Sequence, residues 1–355
     1  MDTAKGYGIA LVVLGHAILG LLNGGVMGRG RAVDFAVDAI YAFHMPLFFF
    51  LSGLFIRRSA GRPWGEFGLD RLRTIAYPYL VWSLISVVIK AGLGSAVTRP
   101  RGLAEMGRIL IQPIEQFWFL YALFFLVLAV GALLKLGASP WLIAAAAAIA
   151  YPGVLPVSGS SWGPLDQIRQ FAIYVAAGTL FESLGAASGL VSARSAWLGL
   201  LATAGLLVVA AAAGTGLTSQ PAVRPALAAS GTAAVLALAV LTDRVGAGRA
   251  VGGLGRYSLE IFVAHTIASA STRIGLLKVA RVADPTTHLI LGTAAGLLVP
   301  IALAVGLGRI GFRYGFTLPR PPKGSAGARL ADSPVGSSPS GVVRGIGEAT
   351  LRQPR

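Results

Sequence analysis

Three of the four histidines in this sequence, His16, His44 and His265, lie deep inside long apolar stretches. An imidazole can take a proton from an alcohol near neutral pH, and it can also carry an acyl group as a nucleophile. The sequence leaves both chemistries open. Each of the three stands at a similar distance from a basic residue. His16 follows Lys5 by eleven positions, roughly 16 Å along an α-helix. His44 precedes Arg57 by thirteen, roughly 20 Å, and His265 follows Arg256 by nine, roughly 13 Å. If the basic residues mark one membrane face, the three rings share a depth near the bilayer centre. Ionisable groups there are costly, face the bundle interior and by default mark function. The plainer alternative is a neutral ring tied to a carbonyl or hydroxyl of a neighbouring helix, and three rings at one depth weigh against it. His288 begins a further apolar stretch and reads as ordinary.

Eleven residues turn a helix through three full turns plus about 20°, so Lys5 and His16 share a face. Asp2, Lys5, Ile9, Val12 and His16 form one stripe, charged at one end and carrying an imidazole in the middle. Such a stripe can join a cofactor site at the membrane surface to a buried reaction centre. Arg57, Arg58, Arg62, Arg71 and Arg73 crowd one loop, tempered by Glu66 and Asp70. Arginine forks match phosphate geometry, although a topogenic signal in contact with headgroups explains the cluster equally well. Asp34 and Asp38 sit one turn apart, placed to cap a helix or to bind sugar hydroxyls. Trp118, in the run Gln116–Phe119, suits either an interfacial belt or stacking on a sugar. Glu260 lies five residues before His265 and so on a different face. No Walker-type phosphate loop is present, and nothing groups ligands for a metal.

The elements that must hold these residues are membrane spans. Hydrophobic residues make up 55% of the 355 and charged ones 12%, with a mean hydropathy of +0.72. Soluble domains carry about 25% charged residues. Reading about 20 apolar residues as a span gives ten candidates, near 6–22, 35–56, 75–92, 116–135, 140–154, 168–183, 196–213, 226–242, 257–275 and 286–308. The predicted fold is therefore all-α, a polytopic bundle of about ten helices. The short, Ala-rich fifth stretch matters most, because losing it inverts everything downstream. Basic residues divide almost evenly between the two faces, so the compact cluster at 57–73 sets the expected orientation, with both termini in the cytoplasm. The first stretch reads as a retained span and not as a cleaved signal. The net charge of +16 fits loops facing anionic headgroups, and no basic stripe with interleaved aromatics suggests nucleic acid. The sequence has no cysteine, which excludes disulfides and thioester intermediates on the chain. Residues 1–316 are expected to form the membrane domain, and the Pro-, Gly-, Ser- and Arg-rich stretch 317–355 a disordered basic cytoplasmic tail.

Several motifs then fall together. Asp2-Thr3-Ala4-Lys5-Gly6 leads into Val13-Leu14-Gly15-His16; Phe43-His44-Met45-Pro46-Leu47-Phe48-Phe49-Phe50-Leu51-Ser52-Gly53 follows; Trp118-Phe119-Leu120 and Leu254–His265 come later. In this order they resemble the membrane acyltransferase-3 family, most closely its fucose 4-O-acetylase-like branch. The resemblance spans nearly all of the membrane region. It implies ten or so helices around a buried site, with acetyl-CoA entering from the cytoplasmic side of the plasma membrane. The implied acceptor is a sugar hydroxyl of a surface polysaccharide, lipid-linked glycan or glycoside. It places the family's basic residue and histidine on Lys5 and His16, with Asp2 in the same stripe and His44 and His265 lining the centre. Arg58, Arg71 and Arg73 are then expected to serve the donor phosphates, and Trp118 and Asp38 the acceptor. The donor loop departs from the family's R-x-x-R spacing, having Arg57-Arg58 and Arg71-Leu72-Arg73 ahead of Tyr77-Pro78-Tyr79. The rival expectation is a proton-coupled transporter or glycan exporter in which the histidines relay protons.

Overall fold

A computed structural model describes residues 1–94, 102–155, 162–312 and 314–319. Among them the regular structure is entirely helical. Lipid offers backbone N–H and C=O groups no partner, so each must be satisfied within its own segment, and a helix does this. The chain runs α1 (Asp2–Asn23), α2 (Arg31–Tyr41), α3 (His44–Gly53), α4 (Ile56–Ala60) and α5 (Trp64–Arg71). A π-helical turn (Leu72–Ala76) leads into α6 (Tyr77–Leu93). Then come α7 (Trp118–Lys135), α8 (Pro140–Ala150), α9 (Gly163–Ser183), α10 (Ala186–Ser192) and α11 (Ser195–Thr215). The last are α12 (Arg224–Arg244), α13 (Gly248–Arg256), α14 (Ser258–Lys278) and α15 (Pro285–Arg309).

All ten apolar stretches of the sequence fall on helices. Among the described residues, seven helical segments are long and apolar enough to cross a membrane, and α9 with α10, bent by 72°, makes an eighth. The protein is a multi-pass membrane helix bundle. The two remaining stretches fall short for different reasons. Helix α14 carries Glu260, Arg273 and Lys278, charged groups that lower its hydropathy, and of these Arg273 lines a cavity. Helix α8 has 11 residues and is about 16 Å long, too short to cross the hydrocarbon core by itself. Lys135, just before it, bonds the carbonyls of Ala60 and Arg62, while Ala150 at its far end accepts from Arg169 Nε at 3.0 Å.

The second stretch, 35–56, is broken. Pro46 has no N–H to offer the Ala42 carbonyl, and Phe43 leaves helical geometry at φ −141°. The break separates α2 from α3 and sets Tyr41 beside His44. Helix α3 crosses α9 at a contact that only glycine permits. A Cβ on Gly178 would lie 2.0 Å from the Phe50 carbonyl oxygen, and one on Gly53 would lie 2.2 Å from that of Val175. Helix α1, which carries Lys5 and His16, packs on α13, α14 and α15. Its end at Lys5 is pinned by Thr3 to Asp243 (2.5 Å) and by Tyr7 to Thr242 (2.7 Å).

The compact unit runs from Met1 to Leu318, two residues past the boundary expected at 316. Near this end Phe316 is buried. It stacks on Trp82 at 5.2 Å, while Trp82 Nε1 donates to the Gly315 carbonyl and the Leu318 N–H to that of Arg73. Residues 320–355, expected to form the tail, lie outside the described residues.

Candidate active site

His16, His44 and His265 come together. The His16 and His265 ring centroids are 5.0 Å apart, Tyr41 and His44 are 4.6 Å apart, and Tyr41 lies 6.2 Å from His16. One local device orients each ring. Nδ1 lies 2.9 Å from the Val12 carbonyl oxygen in His16, 2.8 Å from that of Ile40 in His44, and 3.0 and 2.8 Å from those of Ile261 and Phe262 in His265. A carbonyl only accepts, so each Nδ1 carries the hydrogen and each Nε2 keeps a lone pair. The carbonyl partner expected of an inert histidine is therefore present, three or four residues before the ring in each case and across the α2–α3 break for His44, and it leaves Nε2 without that bond. His44 and His265 are almost wholly buried, and His265 Nε2 has no hydrogen-bond partner.

His16 borders open space. It lines a cavity of about 420 Å³ together with Asp38, Tyr41, His44, Trp118 and Arg224. It also lines a second, of about 450 Å³, between α1, α6, α14 and α15. Both lie toward the end of the bundle formed by the C-termini of α1 and α6 and the N-terminus of α2, away from Lys5, and for that position alone they are termed the outer cavities. A third cavity, of about 340 Å³, lies toward the opposite end, walled by Lys5, Ser52, Phe55, Arg71, Thr74 and Phe262. Phe262 also borders the first cavity, and its ring packs on Phe119 at 5.1 Å and on His265 at 6.1 Å. The stripe from Lys5 to His16 is thus no open channel. Ile9 and Val12 between them are fully buried, and Phe262 is the side chain common to the two compartments.

The expected site residues separate accordingly. Lys5 pairs with Asp2 at 3.6 Å and stands over the Phe55 ring. Arg71 faces the same cavity, its guanidinium over the Phe67 ring at 5.2 Å and 3.9 Å from Asp70. Arg58 does not line that cavity; its side chain is 80% exposed and lies 4.0 Å from Glu182. Arg73 is also outside the cavity wall, on the π-helical turn, with its Nε buried and unpartnered. Asp38 and Trp118 line the first outer cavity, whereas Asp34 is taken up by Arg29 at 2.9 Å. Glu260 lines none of the three cavities.

The reading of the sequence passed over several groups. Tyr41 precedes His44 by three residues, the spacing of one helical turn, but the break between α2 and α3 hid the pairing. Gln116 donates to Thr266 Oγ1 at 2.8 Å and borders both outer cavities. It is held by Glu115, a non-glycine residue at φ +49° that pairs with Lys90. Phe262 and Tyr174 gave no signal beyond their apolar setting.

No solved structure matches this chain. Nodulation protein NolL from Mesorhizobium japonicum is 30% identical over 154 residues, which cover 41% of this chain and 39% of that protein. The aligned part is therefore about two fifths of the relative's own length. A family profile described as an acyltransferase domain matches residues 1–305, which include all three histidines, the Lys5 cavity and both outer cavities. On that match, across nearly the whole membrane bundle, the chain belongs to this acyltransferase family.

Proposed function

We propose that this membrane acyltransferase moves an acetyl group from acetyl-CoA to a sugar hydroxyl, with His16 as the residue that handles the acceptor's proton. The observation that carries the reading is the division of the bundle. A cavity holding Lys5 and Arg71 lies toward one end, and a cavity holding His16, Asp38 and Trp118 toward the other, with Phe262 between them. Cationic groups at the first suit the phosphates of coenzyme A. A carboxylate and an aromatic ring at the second suit the hydroxyl edge and the apolar face of a sugar. The basic cluster at 57–73 supports a cytoplasmic Lys5 end, and so a donor taken from the cytoplasm and an acceptor met across the plasma membrane.

The step balances simply. The acceptor oxygen attacks the thioester carbonyl, the carbon–sulfur bond breaks, and the thiolate of coenzyme A leaves. His16 Nε2 takes the hydroxyl proton and returns it to the sulfur. In the two-step form the same nitrogen first takes the acetyl group and then passes it on. The run Phe43–Gly53 around His44, which resembles that of the fucose 4-O-acetylase-like enzymes, supports placement beside them.

The test is transfer from radiolabelled acetyl-CoA in membranes carrying the wild type, His16→Ala or Arg71→Ala, with the native organism's envelope glycans supplied. Label on glycan that disappears with His16→Ala, and that needs more donor with Arg71→Ala, is the expected result. Wild-type membranes that neither bind acetyl-CoA nor label any glycan would overturn the proposal.

A further inference from the structure

The first outer cavity suffices for one sugar, yet His16 borders two. The second cavity shares His16, Gln116 and Trp118 with the first, so the two meet at the imidazole. At about 420 and 450 Å³ they are of equal rank, and each is of small-molecule size. The second is not a lipid-lined gap. Ser86, Thr266, Ser269 and Gln116 contribute hydroxyls and an amide deep inside it, between patches of Leu19, Ile89 and Ile267. Hydroxyl donors and acceptors alternating with aliphatic surface are what a pyranose ring presents in return, polar at its edge and apolar on its faces. Lys90 and Glu115 at the wall pair with each other, and Arg273, which donates to the Gly20 carbonyl, adds one positive charge.

A second observation points to a ligand. His288, expected to be ordinary, is 2% exposed and forms part of this wall. Its Nε2 lies 2.8 Å from the Val282 carbonyl oxygen and must donate to it, so Nδ1 is a buried acceptor, and no donor faces it. Buried acceptors left so are uncommon, and each calls for an explanation. A hydroxyl-bearing occupant of the cavity, reached by a small shift of the ring, supplies one.

We propose that the second outer cavity is a sugar subsite, so that the acceptor is an oligosaccharide lying across both cavities with His16 at the junction between its units. The inference rests on the sugar-acceptor reading and sharpens it: the acetylated hydroxyl belongs to a unit with a neighbour on the far side, and an isolated monosaccharide fills one cavity only.

The sequence has no cysteine, so single-cysteine variants report cleanly. Ser219→Cys marks the first cavity and Ser271→Cys the second, both at exposed positions. The probes are oligosaccharides released from the native envelope, deacetylated with mild base and sorted into monosaccharide, disaccharide and longer fractions. The readout is the rate of thiol modification in the purified full-length protein. At a concentration ten times the dissociation constant, a bound glycan slows modification about tenfold. The expected result is that disaccharides and longer chains slow both cysteines, while monosaccharides slow only Ser219→Cys. Slowing of Ser219→Cys alone by every fraction would overturn the two-cavity acceptor and leave the sugar reading intact. Slowing of neither would overturn both. A blocking variant, Ser271→Trp, adds a transfer readout. It is expected to cut acetylation of long acceptors about tenfold or more while leaving acetyl-CoA binding unchanged, and equal transfer by wild type and variant would count against the subsite.

Discussion

Replacing Arg71 with alanine should weaken acetyl-CoA binding far more than the same change at Arg58, although both belong to one basic loop. The Arg71 side chain is 17% exposed and lines the Lys5 cavity, with its plane fixed over Phe67. A hydrogen bond to a charged group contributes about 1.5–3 kcal/mol. Since about 1.4 kcal/mol is a factor of ten, losing one such contact raises the dissociation constant roughly 10- to 100-fold. Arg58 is 80% exposed and lines no cavity. Its influence on a phosphate is screened over about 8 Å at physiological salt, so its loss should cost less than about threefold. Deleting Arg71 does not strand its carboxylate neighbour, because Arg62 lies 3.5 Å from Asp70. The assay is equilibrium binding of radiolabelled acetyl-CoA to the detergent-purified protein, at low and physiological salt, with a melting curve for each variant. Equal losses at the two positions would show that the loop acts as a diffuse positive surface. Unchanged binding in Arg71→Ala would move the donor site elsewhere, and either result refutes the reasoning.

Other outcomes follow from the same geometry. His16→Asn should lower acetyl transfer about 10²- to 10⁴-fold, the range for losing a general base. Donor binding should persist, since His16 is not in the Lys5 cavity wall; a variant that keeps a tenth of the activity would remove His16 from the chemistry. Gly178→Val should lower the melting midpoint by the equivalent of at least about 1–3 kcal/mol, because its Cβ meets the Phe50 carbonyl at 2.0 Å. Gly189→Val is the control, with nothing within 4 Å, and should melt like the wild type. Phe316→Ala should destabilise the Leu72–Ala76 turn by about 3 kcal/mol, the lower end for a buried phenylalanine. Limited proteolysis should then cut near residue 314 faster than in the wild type.

The spans were readable because lipid enforces one rule, about 20 apolar residues per crossing, and Ala, Leu and Val fill them here. The rule failed at two stretches. Helix α14 carries Glu260 and Arg273 and falls below the hydropathy of a span, while α8 is apolar throughout and too short for one. The convergence of His16, His44 and His265 was visible in one dimension, as a shared depth measured from Lys5, Arg57 and Arg256. What one dimension could not give was azimuth across helices. Nothing in the order of residues says that Tyr41 turns toward His16, that Phe262 closes the path from Lys5, or that Arg71 enters the cavity while Arg58 does not. Those depend on the break at Phe43, on glycine contacts such as Gly53 with Gly178, and on the tertiary clasp at Phe316.

The packing of α1 on α13, α14 and α15 has a consequence for how the protein is made. The first helix leaves the ribosome bearing His16, but the surfaces that bury it come more than two hundred residues later, as the pairing of Thr3 with Asp243 illustrates. Until α14 brings His265, the imidazole of His16 lacks its neighbour, and the second outer cavity has no far wall. Contacts so distant in sequence form late. A chain that lacks α14 and α15 therefore carries His16 without the walls of its cavities, and the emergence of those two helices is the step that completes them.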